Sequence, residues 1–517
     1  MSQQKNVLIA NRGEIAVRIA RAAKGLGINP ISIFAPADSD SLHTKLTATA
    51  VELSGKAKDP VSAYLDLDQI VSIAKDNQCE LVHPGYGFLS ENAEFAKKCS
   101  EQGIEFVGPK HEVLKLFGDK VQARQLADSL SIPTIPGSKD ALDSIEAAKE
   151  IAKEIGYPIM LKASSGGGGR GMRAVTNETE MEEAFERCAS EAKSSFGDER
   201  LFLEKLIERP RHIEIQILAD KQGNILHLFE RDCSIQERNQ KVIEIAPAPN
   251  LDSTLLDKLY RDAKNIAKET GYTNAGTVEF LVIPETGEYY FIECNPRIQV
   301  EHTITEEITG IDLVETQFRI SLGETLASMN LDKFNDNTRP SSFAIQARVV
   351  SKGNGTLLSY REPSGPGVRV DSAAYPGLTP PTFFDPLLAK LICSSNSSGS
   401  FESAIQRTIN SIDEFYIDGL PTNLSSLKAI LSSKELANAD ARTDLIEKSG
   451  LTASTKKDTR SPAIDLFEKK SPSSTSPLTK TATGLASNQP ALDFDPTHQA
   501  IECPMAGAVI DLNTEIK

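Results

Sequence analysis

Residues 275–297, AGTVEFLVIPETGEYYFIECNPR, constrain this chain more than any other stretch. Runs of β-forming residues flank Pro284 and Gly287, and polar groups recur at every second position after Phe291. The pattern reads as a β-hairpin. Pro284 ends the first strand, and a three-residue loop, Glu285-Thr286-Gly287, carries Gly287 at the left-handed position such loops favour. In that register Glu279 stands directly opposite Glu293 on one face. Opposed carboxylates about 5 Å apart repel by roughly 3 kcal/mol at an effective dielectric near 20. A fold keeps such a pair when a proton or a cation sits between them. Asn295, next on the same face, adds a neutral oxygen, and two carboxylates with an amide oxygen suit Mg²⁺ or Mn²⁺. A register slipped by one residue would put the two acids on opposite faces.

Arg297, Gln299 and Glu301 continue the alternation, but Pro296 cannot donate to a strand ladder. The chain is therefore expected to leave the sheet there, with these three side chains projecting from a strand end or loop, where active sites are often built. His302 reads as a satisfied core histidine.

A chain of 517 residues is too long for one core, so several domains are expected. Its formal charge of −16 argues against a nucleic-acid or anionic-membrane partner. The N-terminus resembles neither a signal peptide nor a membrane helix, and no apolar run reaches the roughly 18 residues of a membrane span. Seven cysteines without CxxC spacing fit reduced thiols in a cytoplasmic enzyme.

The fold class expected is multidomain, α/β and α+β. Strand, turn and helix alternate over residues 1–118, as an open α/β N-terminal domain would. Residues 119–330 mix helices with the strands above. Residues 331–450, with short strands such as SSFAIQARVV, read as a mixed α+β C-terminal domain. The Ser-, Thr-, Lys- and Pro-rich stretch 451–498 reads as a flexible linker. Residues 499–517 regain core-like character.

In PIMLKASSGGGGRGMRAV the glycines Gly166, Gly167, Gly168 and Gly169 follow an apolar strand, with Lys162, Arg170 and Arg173 nearby. Glycines let backbone N–H groups approach an anion closely, so a phosphate-covering hairpin is expected, although the P-loop spacing is missing. The run LFLEKLIERPRHIEIQIL sets an acid–base pair, Glu204 and Lys205, before a basic corner of Arg209, Arg211 and His212.

Together, ANRGEIAVRIARAAKGLG, HPGYGFLSENAEFA, KASSGGGGRGM, EKLIERPRHIEIQIL, ERDCSIQERNQKVIEIAPAP, GTVEF and FIECNPRIQVEHTITEEITGIDLV resemble the biotin carboxylase component of the biotin-dependent carboxylases, over about residues 4–445. The resemblance implies an ATP-grasp central domain whose glycine-rich lid spans about 135–205. It implies that Lys120, Lys162 and the four glycines hold ATP phosphates, and that Glu204, Lys205, Ile207, His212 and Gln236 line the adenosine site. Glu279, Glu293 and Asn295 would bind Mg²⁺ or Mn²⁺. Lys241, Arg297, Gln299 and Val300 would hold bicarbonate, Glu301 would be the general base, and Arg348 would stabilise the biotin enolate. Biotin would arrive on a biotinyl carrier domain, and a carboxyltransferase domain or subunit would take the carboxyl group onward. A homodimer is expected by analogy.

Two departures stand out. Glu237-Arg238-Asn239 occupies the place where many members carry Arg-Arg-His, and Ser351-Lys352 stands where Ala-Glu is usual. The ending ECPMAGAVIDLNTEIK resembles the opening strands of a biotinyl domain without the Met-Lys-Met segment, which implies a partial domain. Residues 363–392 look most like acyl-CoA carboxylases of the carboxylase–carrier–transferase order. A pyruvate or urea carboxylase is the alternative. Outside the family, the competitors are another ATP-grasp ligase, such as a carbamoyl-phosphate synthase half, and a non-catalytic ATP-binding scaffold module.

Overall fold

The strand Asn6–Ile9 is buried along almost its whole length, and its sequence, NVLI, is that of a strand covered on both faces. It lies at the centre of a five-stranded parallel sheet. On one side come Asn29–Phe34 and Thr49–Glu52, on the other Leu81–His83 and Glu105–Phe106. Parallel neighbours need crossovers, and the helix Gly13–Gly25 supplies the first. Its Ile15, Ala16, Ile19 and Ala23 pack with Val7 and Ile9. The strand order reverses at Asn6–Ile9, so the loops at its carboxyl end and that of Leu81–His83 frame a crevice. Asn11, Gly13, Tyr86 and Gly87 from these loops line a cavity of about 360 Å³ that Val300 and Arg348 reach from the far side.

The computed structural model describes residues 4–54, 60–164, 171–334, 338–395 and 399–451. The glycine run 166–169, the linker and the carrier-like ending lie outside the described residues. No helix among the described residues is long and apolar enough to cross a membrane.

An eight-stranded sheet carries the rest of the architecture. Its order is Glu288–Asn295, Asn274–Ile283, Arg211–Ala219, Ile225–Glu237, Gln240–Ala246, Ala344–Val350, Leu387–Ser394 and Val368–Ser372. Every pairing between these neighbours is antiparallel. The boundary expected near residue 330 thus falls inside one continuous sheet. Ile213, Ile215, Ile217, Val278 and Phe280 form its apolar face and pack on Leu255, Leu259, Ala263 and Ile266 of the helix Ser253–Glu269. Asp252 caps that helix by accepting from the N–H groups of Thr254 and Leu255, an arrangement worth about 1 kcal/mol. With one face sealed, the polar residues between those positions are left on the other.

Within the expected lid, the strands Ile159–Ala163, Met172–Val175 and Leu201–Lys205 form a three-stranded antiparallel sheet. The helices Ile145–Ile155 and Met181–Phe196 cover it, closing a small core of Ala148, Ala152, Ile159, Leu161, Met181 and Leu203. The strand carrying Glu204 is pinned from behind by Gly137, where an added Cβ would lie 2.2 Å from the Leu203 carbonyl oxygen. Backbone cannot yield there as a flexible side chain would. Gly137→Ala is therefore expected to cost about 1–3 kcal/mol, read as a lowered midpoint in thermal denaturation.

Candidate active site

The site begins as a row of charges laid straight across four strands. Glu293 faces Glu279, Glu279 faces Glu214, and Glu214 faces Arg231. Three carboxylates in line are tolerable because cations lie against them. The Lys241 ammonium donates to Glu214 at 2.6 Å, Glu279 at 3.0 Å and Glu301 at 2.7 Å. Lys120 meets Glu293 at 2.8 Å, and His212 Nε2 meets Glu279 Oε2 at 2.7 Å. Burial resists ionisation of Glu279, yet Lys241 and His212 hold its pKa well below the usual carboxylate range. Burial likewise works against Lys241, while Glu214, Glu279 and Glu301 outweigh it and keep the ammonium charged.

The facing of Glu279 and Glu293 is as expected, but the path to it differs. Ile283 pairs with Glu288, so the turn holds four residues, 284–287, rather than three. Gly287 has φ +72° and its N–H donates to the Ile283 carbonyl at 2.9 Å. That turn alone would slip the register by one. A bulge at Ile292 between the pairs Phe280–Phe291 and Glu279–Glu293 restores it.

The second strand ends at Asn295, and the next residues form an irregular turn into the helix His302–Thr309. Gln299 Nε2 still donates to Glu279 Oε1 at 2.8 Å. Arg297 spans Glu91, at 2.5 Å, and Asn295 Oδ1, at 3.0 Å. Val300 offers its carbonyl to Lys390 at 3.2 Å. Glu301 stands at the head of the helix with no capping bond of its own, and its second oxygen accepts from Arg348 at 3.2 Å. Burial again opposes ionisation of Glu301, but Lys241, Arg348 and Arg231 push its pKa far down. His302 is fully buried and its pKa is lowered well below 6.5, first by burial and then by Lys390, Arg18 and Arg369.

Of the residues expected around the nucleotide, Lys162, Glu204 and Lys205 lie apart from this row, while Gln236 joins it through His212. Lys162 reaches Glu204 Oε2 at 2.5 Å, and Arg124 takes the other oxygen at 3.0 Å. Lys205 turns away to the carbonyls of Gly156 and Tyr157, both at 3.0 Å. Gln236 Nε2 contacts His212 Nδ1 at 2.9 Å. Ile207 is half-buried in the link between the strands Leu201–Lys205 and Arg211–Ala219.

Glu279 and Glu293 fit a hard divalent cation: they are opposed, Glu279 buried and Glu293 half-buried, each already held by an ammonium. Asn295 turns Nδ2 toward Glu279 at 2.9 Å and gives Oδ1 to Arg297, so joining a metal requires its amide to flip.

Sequence reading missed Glu214, Arg231 and Glu244. Glu214 was within reach, since His212, Glu214 and Gln216 alternate with Ile213, Ile215 and Ile217. Glu244, which holds Arg348 Nε at 2.6 Å, was hidden by a bulge. An extra residue at Val242 puts Lys241 and Glu244, of opposite parity, on one face.

The two departures prove to be one arrangement. Lys352 Nζ lies 3.1 Å from Glu237 Oε2. Arg238 and Asn239, with φ of +51° and +63°, form the left-handed pair of a two-residue hairpin turn, a geometry asparagine accepts readily. The pair is partly exposed, so its worth is small. In a double-mutant cycle, Glu237→Arg and Lys352→Glu are each expected to destabilise, and together to recover a coupling of about 0.2–1 kcal/mol in urea denaturation.

Comparison with known proteins adds three successive family matches. They are "Biotin carboxylase, N-terminal domain" at residues 3–114, "Carbamoyl-phosphate synthase L chain, ATP binding domain" at 119–329 and "Biotin carboxylase C-terminal domain" at 346–448. The pyruvate carboxylase of Bacillus subtilis is 46% identical over 460 residues, 86% of this chain and 40% of that protein. Human mitochondrial pyruvate carboxylase is 43% identical over 452 residues, 86% of this chain and 38% of that one. The chain thus spans about two fifths of these relatives' length. Among solved structures, the biotin carboxylase domain dimer of Hydrogenobacter thermophilus 2-oxoglutarate carboxylase, in complex with MgADP, ADP and bicarbonate, superposes with a TM-score of 0.84. It is 40% identical, covering 88% of this chain and 100% of that domain. Biotin carboxylase from Campylobacter jejuni gives 0.81 at 38% identity, over 86% of this chain and 99% of that one.

Proposed function

We propose that this chain, which belongs to the biotin carboxylase family of ATP-grasp ligases, carboxylates biotin on a carrier domain at the expense of ATP, with bicarbonate as the carbon source. The observation that carries the reading is the convergence of Lys241, Glu301 and Arg348 beside the Glu279–Glu293 pair. The division into residues 1–118, 119–330 with its lid, 331–450, linker and partial carrier domain belongs to the same proposal, as do the roles given above to the site residues.

In this reading bicarbonate sits against Lys241, Arg297 and Gln299, and Glu301 takes its proton. A carboxylate held far below its ordinary pKa is a poor base. An anion beside Lys241 draws that ammonium's bonds toward itself and raises the proton affinity of Glu301. The deprotonated bicarbonate oxygen attacks the γ-phosphorus of ATP, the bond to the β-phosphate oxygen breaks, and ADP leaves with carboxyphosphate formed. Lys120 and Lys162 offset the charge on the phosphate oxygens. Glu279, Glu293 and a flipped Asn295 would hold a divalent cation, whose charge would add to that neutralisation when bound. Carboxyphosphate then splits into CO₂ and phosphate, phosphate takes the N1 proton of biotin, and N1 bonds to CO₂.

Arg348 balances the oxyanion of the biotin enolate. Burial opposes its charge, and Glu244 and Glu301 overcome that, so it is a permanent cation. Protonation of Glu301 removes one of its two carboxylate partners and frees one Nη2 N–H for the ureido oxygen, while Glu244 keeps its hold on Nε and the other Nη2 N–H.

For the final acceptor, residues 363–392 and the carrier-like ending support an acyl-CoA, while the pyruvate carboxylase names of the curated relatives support pyruvate. Labelled bicarbonate fixed onto acyl-CoA or onto pyruvate by the chain together with its carboxyltransferase separates the two. A homodimer and a cytoplasmic setting complete the proposal, the latter supported by six described cysteines, all free and buried.

The purified chain is expected to hydrolyse MgATP only with bicarbonate present, faster with free biotin. Glu301→Gln should lower that rate by about 10²–10⁴-fold. Biotin-independent turnover that persists undiminished in Glu301→Ala or Arg348→Ala would refute the reading.

A further inference from the structure

Arg231 lies in the middle of the strand Ile225–Glu237 and its side chain is 0% exposed. A guanidinium has five N–H donors in a fixed planar fork. Here all five are engaged within the protein. Nε donates to Glu214 Oε1 at 2.5 Å. Nη1 serves Gln216 Oε1 at 2.7 Å and Thr305 Oγ1 at 2.9 Å. Nη2 serves Thr277 Oγ1 at 3.1 Å and Gln299 Oε1 at 2.8 Å. No donor is left for a substrate, so this cation does not bind one.

Its acceptors come from four places: the strand Arg211–Ala219, the strand Asn274–Ile283, the turn after Pro296 and the helix His302–Thr309. Two of them are bifunctional. Gln299 gives its amide oxygen to Arg231, which fixes the flip of that amide and leaves Nε2 facing Glu279. Glu214 gives one oxygen to Arg231 and the other to Lys241. The same fork thereby orients two of the three side chains that the carboxylation reading sets around bicarbonate, Gln299 directly and Lys241 through Glu214.

We infer that Arg231 is a positioning residue for bicarbonate: it locks the Gln299 amide and, through Glu214, the Lys241 ammonium into the geometry that receives the anion. The inference rests on the carboxylation reading. A lysine cannot replace the fork, because its three donors radiate from one point instead of spanning two edges of a plane. Lys120, paired with Glu293, and Lys162, paired with Glu204, share none of Arg231's partners, so nucleotide binding should be spared.

The test is steady-state MgATP hydrolysis by the full chain, titrated separately with sodium bicarbonate and with MgATP. Arg231→Lys should raise the KM for bicarbonate by roughly tenfold or more, the loss expected for charge-assisted hydrogen bonds. Its KM for MgATP should stay within about twofold of the parent, a split that a general loss of folded enzyme would not produce. Thr305→Val keeps the charge pair with Glu214 and removes one prop of the fork. It should raise the bicarbonate KM by about two- to threefold, and it decides the matter if Arg231→Lys does not fold. An unchanged bicarbonate KM in the folded variants, or an equal rise in both KM values, would overturn the positioning role. A parent chain that cleaves ATP without needing bicarbonate would refute the carboxylation reading itself, and this inference with it.

Discussion

A single ammonium group, that of Lys241, sits among three buried carboxylates, and the architecture of the site depends on it. Glu214 and Glu279 come from adjacent strands and Glu301 from the head of a helix, so Lys241 ties three elements together at 2.6 to 3.0 Å. At an effective dielectric near 20, each neighbouring pair of acids would repel by about 3 kcal/mol at 5 Å. Without the cation, the row across the sheet could not stay ionised. The apolar side supplies the complementary constraint: the helix Ser253–Glu269 seals the opposite face and leaves these acids no other direction to take.

From that cluster the charges extend outward in pairs. Glu301 shares Arg348 with Glu244, and Glu214 shares its oxygens between Lys241 and Arg231. A proton added to Glu301 is therefore felt at Arg348, and an anion placed at Lys241 is felt at Glu301. The arrangement couples the two cations most concerned with substrate through one carboxylate, using hydrogen bonds already made. That coupling links the folded charge network to the order of chemical events in the proposed reaction.

Much of this was legible in the sequence, and the failures have physical causes. Period-two alternation with Pro284 and Gly287 located the hairpin and the Glu279–Glu293 pair, and Pro296 marked where the strand ends. The turn was misjudged by one residue, and a bulge at Ile292 cancelled the error. Bulges are not visible as periodicity, which is why Glu244 escaped; Lys241, on the same bulged strand, was reached only through the family resemblance. Arg231 escaped for another reason. Its role lies wholly in partners 15 to 74 residues away, and a buried arginine in a strand looks locally like any other polar interruption. The Glu237 and Lys352 departures looked unrelated, at a separation of 115 residues, until the fold placed them in contact.

The central claim is that Lys241 keeps three buried carboxylates ionised together. The thermal midpoint of Lys241→Met, compared with the parent chain across pH, tests it most directly. Without the ammonium, Glu279 or Glu301 should have a raised pKa in the folded state, since Lys241 is the first of the charges that hold both down. A carboxyl with a raised folded-state pKa gains a proton on folding, so the variant recovers stability as the pH falls through that value. The deficit should be largest near about pH 8, equivalent to about 3–5 kcal/mol for an unpaired buried charge, and should shrink clearly by about pH 5. A deficit that stays constant over that range, or no deficit at all, would contradict the account.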